Sequence, residues 1–135
     1  MPCEWLEHTA DIRVRIYGKT LEELFADALK AMTEILAPTD REPKQADQRP
    51  ISIQASDVTS LVIDFLNAVL LETTLRKTAY RQVTFHALAE TGLRALLSGF
   101  RFESLGRDIK AVTYHEANVH KNQNGDWETQ IVFDL

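Results

Sequence analysis

Cysteine is almost absent. Cys3 stands alone in 135 residues, so no internal disulfide can form and no paired thiols offer a structural zinc site. A chain without such staples suits a reducing compartment, and the expected location is the cytoplasm. Positive charge is also short, with 15 basic against 20 acidic residues and a formal net charge of -5, so no direct binding to a phosphate backbone is expected. The five glycines are scattered singly at apparent turns and build no phosphate cradle. A G-x-S-x-G elbow and a metalloprotease histidine pair are both missing. No apolar run approaches the roughly 20 residues that span a bilayer, and the opening MPCEWLEHTAD lacks the basic flank and apolar stretch of a signal peptide. Secretion and membrane insertion are therefore not expected. Cys3 with His8 as base would be a nucleophile in outline, but a lone cysteine near a terminus is more often incidental.

What is present is a 44% hydrophobic chain, long enough for one domain over residues 1–135 with a real core and too short for two. DIRVRIYG alternates Ile12, Val14 and Ile16 against Arg13, Arg15 and Tyr17, the period of a half-buried strand. Thr20 and Glu23 have the capping-box spacing, and Leu21, Leu24, Phe25, Ala28, Met32, Ile35 and Leu36 then recur on one helical face up to Pro38. PTDREPKQADQRP, rich in charge and proline, reads as a solvated loop. ISIQAS alternates as a strand. Ser56 or Asp57 can cap a second amphipathic helix that buries Leu61, Val62, Phe65, Ala68 and Val69.

From Tyr80 onward the pattern is strands: RQVTFHALA, LRALLSGF, DIKAVTYHEANVH and a terminal strand. Asn124-Gly125 predicts a type I′ hairpin between the last two, and Thr91-Gly92 is a weaker turn signal. Strands joined so tightly are antiparallel. The expected fold class is α+β: a two-layer sandwich in which two long amphipathic helices pack on a mostly antiparallel sheet.

Three short stretches concentrate polar groups where chemistry could occur. EHTAD crowds Glu7, His8, Thr9 and Asp11 before a buried strand, where they could equally cap a turn. Lys110 interrupts an apolar, β-prone run, the usual mark of a snorkelling lysine or an exposed sheet face. In the closing IVFDL, Trp127, Thr129, Ile131, Phe133 and Leu135 share one parity, so Asp134 and the carboxylate of Leu135 stand at the tip of an ordered strand.

EHTADIRVRIYGKTLEELFADALKAM, IKAVTYH and FDL also occur in the order and spacing of the archease family, and the chain resembles an archease over nearly its whole length. The departures are the PTDREPKQADQRP loop and the uncharged step from Leu97 to Phe100, neither of which touches the motif residues. The resemblance implies a non-catalytic protein cofactor of an RtcB-type RNA ligase, a transient partner. Such a cofactor promotes guanylylation and multiple turnover of the ligase in GTP-dependent joining of tRNA exon halves or other broken RNA ends. It also implies a bound divalent cation, calcium first with magnesium or manganese as alternatives, held by Asp11, Asp134 and Leu135. Lys110 is implied as the functionally sensitive lysine, with His8 and His115 as secondary candidates.

Three carboxylates within about 4 Å repel by roughly 1 to 4 kcal/mol per pair between water-like and surface-like dielectric, and a divalent cation relieves that repulsion. An all-oxygen donor set favours a hard ion over zinc. Asp11 begins one strand and Asp134 ends another, so as sheet neighbours those strands must be antiparallel for the side chains to meet. Two other function classes use the same residues differently: a small metal-dependent hydrolase, and a general chaperone or binding module.

Overall fold

The computed structural model describes residues 10–135. Their elements are β1 (Asp11–Gly18), α1 (Leu21–Leu36), β2 (Pro38–Asp40), β3 (Ala46–Gln54), α2 (Val58–Arg76), β4 (Thr78–Ala89), β5 (Gly92–Leu105), β6 (Ala111–Thr113), β7 (His120–Lys121) and β8 (Trp127–Asp134). The fold class is α+β, with antiparallel strand pairing and two long helices, as the sequence pattern implies. The strands divide into two sheets: β8 lies between β1 and β6 and also pairs with β7, while β5 pairs with β3, β4 and β2. Each helix touches both sheets, α1 through β1, β8 and β4, and α2 through β3, β4 and β6.

Local chemistry explains where the helices start and stop. Thr20 Oγ1 accepts the Glu23 N–H at 3.2 Å, and Glu23 Oε2 accepts the Lys19 N–H at 2.7 Å, so orphan donors at the α1 N-terminus are satisfied. Asp57 Oδ1 does the same for Ser60 N–H at 2.7 Å. Neither helix ends on glycine. Ala37 and Lys77 take the left-handed region themselves, at φ 46° and 50°, and return their N–H groups to Thr33 and Thr73 carbonyls. Phe25 of α1, Phe65 of α2 and Phe85 of β4 form the aromatic centre of the core, with ring centroids 5.5 to 6.1 Å apart.

Three sequence expectations change. First, α2 is not a one-faced helix: Ile63, Leu66 and Leu70 are buried along with Leu61, Val62, Phe65 and Val69, because strands of both sheets cover it. By length and composition alone α2 is also apolar enough to cross a membrane, which corrects the expectation that no run approaches that length; in this fold Leu61, Phe65 and Val69 belong to the core while Leu71 and Leu75 are exposed. Second, PTDREPKQADQRP is mostly strand, since Pro38–Asp40 and Ala46–Pro50 pair with β5. Backbone pairing needs no apolar period, and Pro50 is tolerated because β3 is an edge strand. Third, DIKAVTYHEANVH keeps only Ala111–Thr113 and its last residue, His120, which opens β7, as strand. Between them Ala117 N–H bonds to the Tyr114 carbonyl, and Glu116 sits at φ 61°.

The β7–β8 connection is also not a type I′ turn. Gly125 N–H bonds to the Asn122 carbonyl, and Asn122 N–H to that of Asp126. Gly125 alone there has positive φ, 80°, so the link is a type I turn followed by a left-handed glycine. Within the step from Leu97 to Phe100, Gly99 has a steric reason: a Cβ there would lie 2.0 Å from the Ala79 carbonyl oxygen.

Candidate functional site

The first sheet gathers the residues that the chain order scatters. β1 and β8 run antiparallel in a register that sets Asp11 directly opposite Asp134, and Leu135 N–H bonds to the Ala10 carbonyl at 3.0 Å. That bond makes residues 10 and 135 a hydrogen-bonded pair, so Asp11 and Asp134 form the non-bonded pair next to it, the closer type, with Cα atoms about 4.5 Å apart. Both carboxylates therefore share one face of the sheet. Across the other side of β8, Asp134 pairs with Ala111, and its carbonyl accepts the Lys110 N–H at 2.7 Å. The antiparallel geometry required by the sequence is met, and Asp11, Asp134, Leu135 and Lys110 lie at one end of one sheet.

The opposite face of this sheet is core. Ile16, Ile131, Phe133 and Val112 are buried, and Leu135 packs against them. The outer face is polar and exposed at Asp11, Arg13, Arg15 and Tyr17. Arg13 is shared: its Nε lies 3.7 Å from Asp11 Oδ1, while its Nη1 bonds Glu116 Oε2 at 2.5 Å. Glu116 also accepts from Gln130 Nε2 and stands 3.4 Å from His115 Nε2. The Arg13 guanidinium is raised above its ordinary value chiefly by its hydrogen bond to Glu116. His115 thus joins the periphery of the site through Glu116 and Arg13, not the Asp11–Asp134 pair. Lys110 is exposed, and no ion pair engages it among the described residues. His8, with Cys3, Glu7 and Thr9, lies outside the described residues.

The donor chemistry suits a hard cation. Asp11 and Asp134 offer carboxylate oxygens only, and facing like charges in a ladder are destabilising unless something compensates them. Arg13 at 3.7 Å is a distant compensator whose closer bond goes to Glu116. Among the described residues no third His, Cys, Asp or Glu side chain completes a cluster. A six- to eight-coordinate ion such as calcium would thus need the Leu135 carboxylate, backbone carbonyls or water as further ligands.

Sequence reading missed a seam that holds this end of the sheet against α2. Asn67 Nδ2 donates to the Val112 carbonyl at 2.8 Å and Asn67 Oδ1 accepts the Val112 N–H at 2.9 Å. Asp64 accepts from the Tyr114 hydroxyl, and Thr59 Oγ1 accepts the Val119 N–H at 3.0 Å. That bond to Asp64 is the main reason the Tyr114 phenol is pushed above its usual range. The available signal was polar residues at 59, 64 and 67 in the otherwise largely apolar first two-thirds of the helix.

A second polar cluster went unread as well. Arg76 grips Asp47 through Nε at 2.7 Å and Nη2 at 3.1 Å, and the buried Tyr80 hydroxyl donates to the same carboxylate at 2.8 Å. The Arg76 hydrogen bond, opposed by burial and assisted by Tyr80, holds Asp47 at about 2. Burial first and Asp47 second push Tyr80 to about 12. Every member has its partner, so the cluster reads as an internal strut between β3, α2 and β4.

Comparison with known proteins adds the family. Residues 4–135 match the model of the Archease protein family. Protein archease of Methanosarcina mazei is 30% identical, over 98% of this chain and 94% of its own length, and that of Methanosarcina barkeri is 31% identical over the same shares. Among solved structures, the archease of Thermotoga maritima superposes with a TM-score of 0.76 at 21% identity, covering 100% of this chain and 98% of its own; that likeness speaks for the fold. A Methanobacterium thermoautotrophicum protein solved in solution gives a TM-score of 0.65 at 26% identity, over 96% of each chain. The chain belongs to the archease family.

Proposed function

We propose that this protein is a non-catalytic activator of an RtcB-type RNA ligase. In this reading it promotes guanylylation and repeated turnover of the ligase during tRNA splicing and RNA end joining in the cytoplasm. The observation that carries the reading is the juxtaposition at the end of the first sheet, where Asp11 faces Asp134 and Lys110 is bonded to the Asp134 carbonyl. Asp11, Asp134 and the Leu135 carboxylate would hold a divalent cation, calcium by preference, which supplies positive charge at an acidic edge. Lys110, exposed and outside any ion pair among the described residues, is free to reach a partner's carboxylate or phosphate. A charged, exposed edge suits a transient contact that must be released between turnovers.

The test is a ligase assay with purified protein. Guanylylation and multiple-turnover ligation should rise on adding the wild-type chain, and Lys110→Ala should lose most of that rise while melting normally. Unchanged ligase rates at saturating protein would remove the reading. Turnover of nucleotide or RNA by this protein alone would favour a metal-dependent hydrolase. An effect on the ligase indifferent to chelator would favour a general chaperone or binding module.

A further inference from the structure

Strand β6 is short, lies at the edge of its sheet, and immediately follows Lys110. Only three residues pair with β8, too few for a ladder to hold itself. The edge it turns away from β8 is not left open. Asn67 of α2 offers its amide as a substitute for a neighbouring strand, donating to the Val112 carbonyl and accepting the Val112 N–H, both at under 3 Å. Few side chains can do this, since the task needs a donor and an acceptor side by side on one short stem. The neighbouring Thr113 hydroxyl is buried without a partner among the described residues, so it adds no bond to hold β6.

From this geometry we infer that Asn67 is a positioning residue for Lys110: by clamping Val112 from the helix side, it fixes the start of β6 against Asp134 and so sets where the Lys110 amine is presented. The inference rests on the ligase-activator reading for its functional half, and on hydrogen bonding alone for its structural half. Asp64 with Tyr114 and Thr59 with Val119 secure the segment further along, so the whole strip from Val112 to Val119 is bolted to one helix. Asn67 is the member of that seam whose partner, Val112, lies nearest Lys110 in the chain.

The test combines amide exchange with a mutant cycle on the full chain. In Asn67→Ala, exchange protection at Val112 and Lys110 should fall about tenfold or more, while amides of β5 and of the middle of α2 keep theirs. Ligase stimulation should fall about tenfold as well, and Asn67→Ala should have no further effect on a Lys110→Ala background. Asn67→Asp keeps the acceptor for Val112 N–H but turns a second oxygen toward the Val112 carbonyl; it should fall between wild type and Asn67→Ala, and it serves where the alanine variant folds poorly. Wild-type exchange at Val112 in both variants would overturn the clamp. Additive losses in the cycle would overturn the action through Lys110, leaving a merely structural asparagine. Absence of stimulation by the wild-type chain would count against the activator reading and the functional half together, and the exchange pattern would still decide the clamp.

Discussion

Two aspartates mark two polar clusters in this molecule, and they are built in opposite ways. Asp47 receives two bonds from Arg76 and one from Tyr80, in a site that is mostly shielded from solvent. Asp11 faces another carboxylate, Asp134, and its nearest cation among the described residues, Arg13, stands 3.7 Å away with a shorter bond elsewhere. One carboxylate is satisfied from within the protein; the other, among the described residues, is left with unspent acceptor capacity. A satisfied, partly buried cluster holds elements together, whereas an under-compensated carboxylate pair is a place for something from outside.

Breaking the first cluster should therefore cost stability and nothing else. Asp47→Ala leaves the Arg76 guanidinium and the buried Tyr80 hydroxyl without their acceptor, and unfolding free energy should drop by about 2 to 3 kcal/mol, seen as an earlier denaturant midpoint. Calcium affinity of the folded variant should be unchanged. The mirror experiment is Asp134→Asn, for which melting in chelator should stay within about 1 kcal/mol of wild type, since one of two repelling charges is removed. Cation affinity should fall at least about tenfold. A variant pair in which Asp47→Ala loses the cation, or Asp134→Asn loses the fold, would erase the contrast.

Acid should separate the clusters a second way. Asp47 is held at about 2 in the folded chain against an ordinary 3.8, chiefly by Arg76. A depressed carboxylate contributes stability that is present above its unfolded value and lost as pH falls through its folded one. About 2 kcal/mol should thus drain away between about pH 4 and pH 2, and Asp47→Asn should flatten that limb of the stability curve. An equally steep acid limb in the variant would place the sensitivity in other carboxylates.

How much of this was legible beforehand follows from the kind of signal each part leaves. α1 and β1 were readable because each buries one side, so apolar period and cap residues agree. α2 was readable as a helix but not as a helix covered by both sheets, because packing on several sides erases the stripe that periodicity detects. β2 and the first half of β3 were missed because edge pairing leaves no apolar trace at Thr39, Asp40 or Gln48. Asp11, Lys110, Asp134 and Leu135 were named through family-like blocks, and the strand register then set them side by side. Asn67 and the Asp47 cluster had no local motif: their partners lie 45 and 29 residues away, a separation that only the folded chain closes.

The smallest expected effect sharpens the comparison most, because it asks whether Arg13 is the residue that keeps the two clusters different. Arg13 sits between Asp11 and Glu116, with its short bond to Glu116 and its long one to Asp11. A guanidinium that fully engaged Asp11 would make it resemble Asp47, satisfied and closed to other cations. Removing the charge with Arg13→Met, which keeps much of the apolar stem, takes away a weak competitor for the Asp11 carboxylate. Arg13 and Asp11 are both well exposed, so solvent screens the competing pair and the gain in calcium affinity should be modest, roughly two- to fivefold at low salt and less as salt rises. Calorimetric titration at two ionic strengths measures both the gain and its screening. A loss of affinity in Arg13→Met would give Arg13 the opposite role, that of ordering the acidic pair through Glu116, and the contrast between a closed and an open carboxylate would then rest on Asp134 alone.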